Sequence, residues 1–350
     1  MLVVDDSATV RSVLTRRLAK DVQFEVVGSA KDGLDALAQI KSLKPDVITL
    51  DIEMPRLDGL AMLERLMRER PTRVVMVSSL TREGADATVR ALELGAVDFI
   101  EKPVFGGVPD TAAVADEVAT KVRQAAMARL VIPSAAPAAD RGKPRRGRPP
   151  SAWLPKKVVF GSSTGGPQAL RRIVTSLPGD LGVPVVAVQH MPAGFTRSLA
   201  ERLDELSAVR VEEAGPGSRL EPGKVLLAPG GRHLTIDGDG VVSLNDDEPE
   251  CGVRPAINVT VESMVDAYGG DVVAVVLTGM GTDGTRGSGL VKEAGGRVFV
   301  EAEESCVVWG MPRSVQEAGY ADRVLAIDDV ARAVVGECLM RSARRPTTVD

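Results

Sequence analysis

Short apolar runs alternate with stretches of helical spacing along most of the chain, in two successive blocks. In the first block, Leu2-Val3-Val4, Phe24 to Ala30, Pro45 to Leu50, Val74 to Ser79 and Val97 to Ile100 read as strands, rich in β-branched residues and bounded by polar or glycine positions. Between them, Val10, Val13, Leu14 and Leu18 share one face of a helix starting near Ala8, with Ser7 placed to cap it. Leu34, Leu37 and Ala38 mark another helix over 33–42. In the second block, Lys157 to Phe160, Val183 to Gln189, Val272 to Leu277, Gly296 to Val300 and Arg323 to Ile327 are the strand candidates. Helical spacing follows Pro167 and recurs from Thr196 to Leu206, whereas 209–245 is broken by Gly and Pro and is expected to form hairpins laid on one side. Strands that alternate with helices predict the α/β class, here as two doubly wound parallel sheets.

The stretch between the blocks has a different composition. Ile132 to Pro150 is dominated by Pro, Ala, Gly and Arg and includes RGKPRRGRPP, which suits a solvated, flexible tether. The expected organisation is therefore a first domain over 1–128, a linker over 129–154 and a second domain over 155–345, in keeping with a length of 350 residues. A net charge of -5 gives no general attraction for nucleic acid, and no basic recognition helix follows the linker. No apolar run approaches the ~18 residues that a membrane span requires. The chain opens directly into a strand and acidic residues, without a signal-peptide pattern. Cys251, Cys306 and Cys338 form no C-x-x-C pair and read as reduced thiols of a cytoplasmic protein.

In a parallel sheet the carboxyl ends of the strands meet along one rim. For the first domain those ends carry Asp5, Asp6, Asp51, Ser78 and Lys102. Three carboxylates together repel one another unless a hard divalent cation joins them, and Mg²⁺ suits a site with few carboxylates. The motifs VVDDS, LDIEMPRLDG, MVSS and FIEKP resemble the response-regulator receiver domain over 1–128. The resemblance implies a flavodoxin-like fold in which Asp51 accepts a phosphoryl group from a histidine kinase. It further implies that Asp5, Asp6, Asp51 and the Glu53 carbonyl hold Mg²⁺, that Ser78 and Lys102 grip the phosphoryl oxygens, and that Phe99 is the switching aromatic. The family's first strand usually has more residues before the acidic pair, so the strand is expected to be clipped or the true start to lie upstream of Met1.

In the second domain, KVVFGSSTGG followed by Pro167 predicts a strand, a sharp glycine turn and a helix, with Ser163 at the apex. The turn suits a nucleophilic serine with an oxyanion held at the helix start, or equally an anion-binding loop. Two further polar residues end apolar strands: His190 after Val183–Gln189, and Asp283 in the glycine-rich loop after Val272–Leu277. A serine hydroxyl needs a base, and the base needs an acceptor on its other nitrogen, so the three supply nucleophile, base and orienter. Their order, Ser-His-Asp, differs from the Ser-Asp-His of ordinary α/β-hydrolases. His233, the only other histidine, is the competing base.

GSSTGG, VQHMPAGFTRSLAERL, APGGRHL, LTGMGTDG and CVVWGMPRS resemble the chemotaxis-type protein-glutamate methylesterases, the CheB family, over nearly all of the second domain. The resemblance implies a Rossmann-like domain with added hairpins that hydrolyses γ-glutamyl methyl esters on methyl-accepting chemoreceptors, releases methanol, and deamidates particular glutamines. Ser163, His190 and Asp283 would be the triad, with the Met280 and Thr164 N–H groups lining the oxyanion hole and no cofactor for the esterase. Its partners would be the receptors and a chemotaxis histidine kinase, and the protein would be a monomer. Asn258, where the family often has Asp, and Trp309, where Tyr or Phe is common, depart from the pattern; neither is expected to touch the triad, and both bear on substrate fit or the interdomain face. The unphosphorylated receiver is expected to cover the active-site rim, with phosphorylation of Asp51 weakening that contact. The alternatives are a receiver-controlled esterase outside chemotaxis and a non-catalytic receptor adaptor.

Overall fold

The computed structural model of the chain describes residues 1–102, 111–130 and 156–339. Most of the expected linker lies outside the described residues. The first unit runs β1 (Leu2–Val4), α1 (Ala8–Leu18), β2 (Gly28–Ala30), α2 (Gly33–Leu43), β3 (Val47–Asp51), α3 (Gly59–Glu69), β4 (Arg73–Ser78), α4 (Arg82–Leu94), β5 (Asp98–Glu101) and α5 (Thr111–Met127). Its five strands lie in the order β2-β1-β3-β4-β5, every pair parallel. Local chemistry fixes the helix starts: Ser7, Asp32, Asp58 and Thr81 each accept a backbone N–H of the first turn, from α1 to α4 respectively.

One expected strand is shorter than its pattern. Phe24 to Val27 has strand composition, yet only Gly28–Ala30 joins the ladder, because β1 offers just Leu2 to Val4 as partners. The preceding stretch is held instead by the Met1 ammonium on Glu25 O and by the Val27 N–H on Met1 O.

The second unit comprises β6 (Lys157–Ser162), α6 (Gly166–Val174), β7 (Val185–Gln189), α7 (Phe195–Leu206), β8 (Arg210–Glu213), β9 (Lys224–Leu227), β10 (His233–Ile236), β11 (Val242–Asn245), α8 (Ile257–Tyr268), β12 (Val272–Val276), α9 (Thr285–Glu293), β13 (Arg297–Glu301), α10 (Met311–Glu317), β14 (Arg323–Leu325) and α11 (Ile327–Leu339). Seven strands form one sheet in the order β14-β13-β12-β6-β7-β9-β8, all parallel. Only β10 and β11 form the expected hairpin. β8 and β9, expected as hairpin pieces, instead pair in parallel and extend the main sheet, where burial of Val211, Val225, Leu226 and Leu227 favours a place in the core over an outer ribbon. Strand order reverses at β6, which has β7 on one side and β12 on the other, and a crevice at such a reversal is where open α/β sheets bind ligands.

The two units pack through α4 and β5 of the first against α6 and α7 of the second. The rings of Phe99 and Phe195 lie 4.4 Å apart, centroid to centroid. The Gln168 amide donates to Leu92 O and Ala96 O at the end of α4, and Arg202 grips both oxygens of Glu93.

Candidate functional site

Ser163 follows the last residue of β6 and lies at the reversal point. Its N–H donates to Thr278 O across the β6–β12 gap, and the Ser162 carbonyl accepts the His190 N–H across the β6–β7 gap. Ser163, His190 and Thr278 therefore finish three adjacent strands at one level. The turn into α6 passes through Gly165 at φ +80°, where a Cβ would also fall 2.5 Å from Val307 Cβ. Gly279 is required from the other side: a Cβ there would lie 2.6 Å from the Ser163 Cβ. The two glycines let the backbone close tightly around the serine.

Gln189 ties the central strand ends together. It accepts the Ser162 hydroxyl at 2.6 Å, and its amide donates to Ser163 O and His190 O. His190 Nε2 lies 2.8 Å from Asp283 Oδ2. That carboxylate also accepts the N–H groups of Ile257, Asn258 and Gly284, two of them from the first turn of α8. Burial alone would push the Asp283 carboxyl up, but the His190 hydrogen bond and these N–H groups hold it below the ordinary carboxylate range. Asp283 is thus kept anionic, and Nδ1 is the His190 nitrogen left for the serine side. Among the described residues the Ser163 hydroxyl makes no hydrogen bond, to His190 or to any other group, while His190 is bonded to Asp283. The Thr164 and Met280 N–H groups likewise meet no acceptor there.

His233, the competing base, is buried and makes no bond to Ser163 or Asp283. Its Nδ1 accepts the Ala256 N–H and its Nε2 faces Glu248 O, so both ring nitrogens are committed to backbone. Contrary to the sequence expectation, Asn258 does touch Asp283, because it lies in the first turn of α8 and its N–H donates to Asp283 Oδ1. The Asn258 Oδ1 accepts the Gly284 and Gly287 N–H groups, and its Nδ2 donates to Glu250, which Arg286 also holds. Trp309 bridges Gly279 through the backbone, with the Arg313 guanidinium 5.6 Å from its ring centre.

In the first unit, Asp5, Asp6 and Asp51 converge so that their oxygens lie within 4.8 Å of one another. The Lys102 ammonium is 2.7 Å from Asp51 Oδ2 and 3.4 Å from Asp5 Oδ2. Burial, then the neighbouring Asp51 charge, pushes the Asp5 carboxyl up to about 6, and burial raises Asp51 against the pull of Lys102. Apart from the ion-pair contact with Lys102, the buried Asp5 Oδ2 has no hydrogen-bond partner, a position that a divalent cation would satisfy. Ser78 is tied to α4. Its hydroxyl is held by Thr88 at 2.7 Å and donates to Gly84 O, both residues of α4.

The comparisons with known proteins bear on both units. A family model of the CheB methylesterase matches residues 158–334, and one of the response regulator receiver domain matches residues 1–107. A protein-glutamate methylesterase/protein-glutamine glutaminase of Symbiobacterium thermophilum is 50% identical, with 96% of this chain and 97% of the relative covered. The chain belongs to the CheB methylesterase family. A second such relative, from Pseudomonas aeruginosa, is 45% identical over 99% of this chain and 97% of its own. The crystal structure of the Thermotoga maritima CheB methylesterase catalytic domain superposes with a TM-score of 0.51 at 46% identity, covering 52% of this chain and 98% of that one.

Within this CheB family member, sequence reasoning passed over Gln189, Thr278, Glu301 and Thr88. Gln189 carried a usable signal, as the one polar residue in an otherwise apolar strand, VVAVQ. Glu301 ends β13 in the same way. No helix among the described residues is long and apolar enough to cross a membrane.

Proposed function

We propose that Ser163, His190 and Asp283 carry the hydrolysis. The chain is a receiver-controlled protein-glutamate methylesterase and protein-glutamine glutaminase of chemotaxis, so the carbonyl attacked is that of a γ-glutamyl methyl ester or a glutamine side chain. The observation that carries the assignment is the imidazole of His190, bound on one nitrogen to a carboxylate held anionic by three N–H groups. The other nitrogen takes the Ser163 proton as the hydroxyl oxygen attacks. The carbonyl oxygen gains charge, and the unpaired Thr164 and Met280 N–H groups are the donors proposed to receive it. Asp283 balances the imidazolium without itself becoming protonated. The proton returns to the departing methoxide as methanol leaves, and water repeats the cycle on the acyl-enzyme. The test is methanol release from receptor membranes methylated in advance: Ser163→Ala should abolish it, and full activity in that variant would refute the nucleophile.

Asp51 is the proposed phosphoacceptor, with Asp5, Asp6, Asp51 and the Glu53 carbonyl as the Mg²⁺ ligands and Ser78 and Lys102 on the phosphoryl oxygens. Mg²⁺ would neutralise the charge that builds on the transferring group. Chemotaxis receptors as substrate and a chemotaxis histidine kinase as phosphodonor complete the reading. Control by occlusion has support from the packing of the two units. The Thr164 hydroxyl, next to Ser163, donates to Asp98 Oδ2 at 2.5 Å, so β5 of the receiver touches the nucleophile turn itself. Phe99, the next residue along β5, is the one that packs on Phe195. A switch that moves Phe99 would disturb both contacts together.

A further inference from the structure

Glu301 is a buried carboxyl group that the reaction above does not use. It ends β13 at 1% exposure, directly behind the nucleophile turn. Its Oε2 accepts the Thr278 N–H at 2.8 Å and its Oε1 accepts the Ser305 hydroxyl at 3.0 Å. Thr278 in turn grips the turn twice, through its carbonyl on the Ser163 N–H and its hydroxyl on Thr164 O. Ser305 lies in the 302–308 segment that meets the chain where it leaves the first unit, with Val307 O accepting the Arg129 N–H and Glu304 O its guanidinium.

We infer that Glu301 is a positioning residue whose carboxylate fixes Thr278, and through it the Ser163 turn, so that protonating Glu301 loosens the catalytic turn. The inference rests on Ser163 being the nucleophile. A carboxylate accepts more strongly than a neutral carboxyl, roughly by a factor of two, so the Thr278 bond weakens on protonation. The neutral form has a ready alternative: the new O–H donates to Ser305 Oγ, which can redirect its own proton to Ala302 O, 3.2 Å away. Burial is the main cause that pushes this carboxyl up to about 7, outweighing the Thr278 and Ser305 hydrogen bonds. Among the described residues two charged or titratable groups act on it most strongly. Arg172 of α6 is paired with Asp328, and the Cys306 thiol is itself pushed up by burial and by Glu301. No cation is therefore bonded to Glu301 to keep it ionised.

The experiment is the pH profile of methanol release from methylated receptor membranes by the full chain, run for wild type, Glu301→Gln, Ser305→Ala and Ser163→Ala. Glu301→Gln keeps the shape and an acceptor for Thr278 but removes the titration. Wild type should exceed it by about threefold at pH 8, with the ratio falling towards one by pH 6, as the stronger acceptor is lost. Ser305→Ala removes a donor to the carboxylate and should move the extra acid-side inflection to higher pH. A pH-independent ratio, or a Ser305→Ala profile that overlays wild type, overturns the inference. If Glu301→Gln fails to fold, the Ser305→Ala profile decides alone. Activity retained by Ser163→Ala would instead overturn the nucleophile reading, whatever Glu301 does.

Discussion

His190 Nε2 lies 2.8 Å from Asp283 Oδ2, an oxygen that also accepts the Ile257 N–H. One carboxylate thus orients the base and closes the start of α8. Asp283→Asn puts an amide hydrogen where only acceptors are tolerated. Methanol release should fall by about 10³-fold or more, as the imidazole loses its fixed tautomer and its counter-charge. The same change should cost roughly 2–3 kcal/mol of stability at pH 7, since buried donors lose their acceptor. Because the Asp283 carboxyl is held below the ordinary range, its stabilisation is complete above that range and disappears as pH falls through the lowered folded-state value. The stability gap between wild type and variant, followed by thermal melts, should therefore narrow on acidification.

Glu301 gives the opposite pH sign. Its carboxyl is raised to about 7 from 4.5, so the native state binds the extra proton between those limits and loses stability as pH rises through that window. A shift of this size corresponds to about 3 kcal/mol at most. Glu301→Gln should then be more stable than wild type at pH 8, with the advantage shrinking towards pH 5. Equal melting temperatures at both pH values would contradict the sign.

Charge reversal at the interface between the units should release the esterase. Glu93 and Arg202 pair through two hydrogen bonds across it. A partly exposed pair of this kind is worth roughly 0.5–1 kcal/mol. Glu93→Arg should raise basal methanol release of unphosphorylated protein by about two- to fivefold, a change of that energy expressed as a rate. Adding Arg202→Glu should bring it back down. A single variant no faster than wild type speaks against occlusion.

Chelation should separate the two sites. The Glu250, Cys251 and Asp283 ligand atoms lie within 4.8 Å of one another, but the Asp283 lone pairs are filled by four donors. EDTA should therefore leave basal methanol release intact and abolish the stimulation by a small-molecule phosphodonor. Asp51→Asn should behave as EDTA-treated wild type does. Loss of basal release on chelation would point to a metal in the esterase half.

Both parallel sheets could be read from the chain because their central strands are buried on both faces and mostly apolar, as in VVAVV of β12. The strand-end rule then brought Ser163, His190 and Asp283 to one rim without any three-dimensional information. Residues that act through long-range hydrogen bonds were not legible in this way. Glu301 and Thr278 are separated by 23 positions, and nothing local in either segment announces the other. The 209–245 segment misled for a related reason: Gly and Pro mark turns reliably but do not say whether the next strand returns beside its predecessor or crosses over. Phe24 to Val27 had the right residues for a strand and lacked only a partner of equal length.

The bond between Thr164 and Asp98 makes the nucleophile turn a meeting place for two competitors. Under the proposed occlusion, a substrate protein presenting a methylated glutamate displaces β5 of the receiver to reach Ser163, and a free energy that links two events acts equally in both directions. Substrate engagement should thus ease phosphate loading at Asp51, so that a receptor rich in methyl esters primes the very enzyme that will strip them.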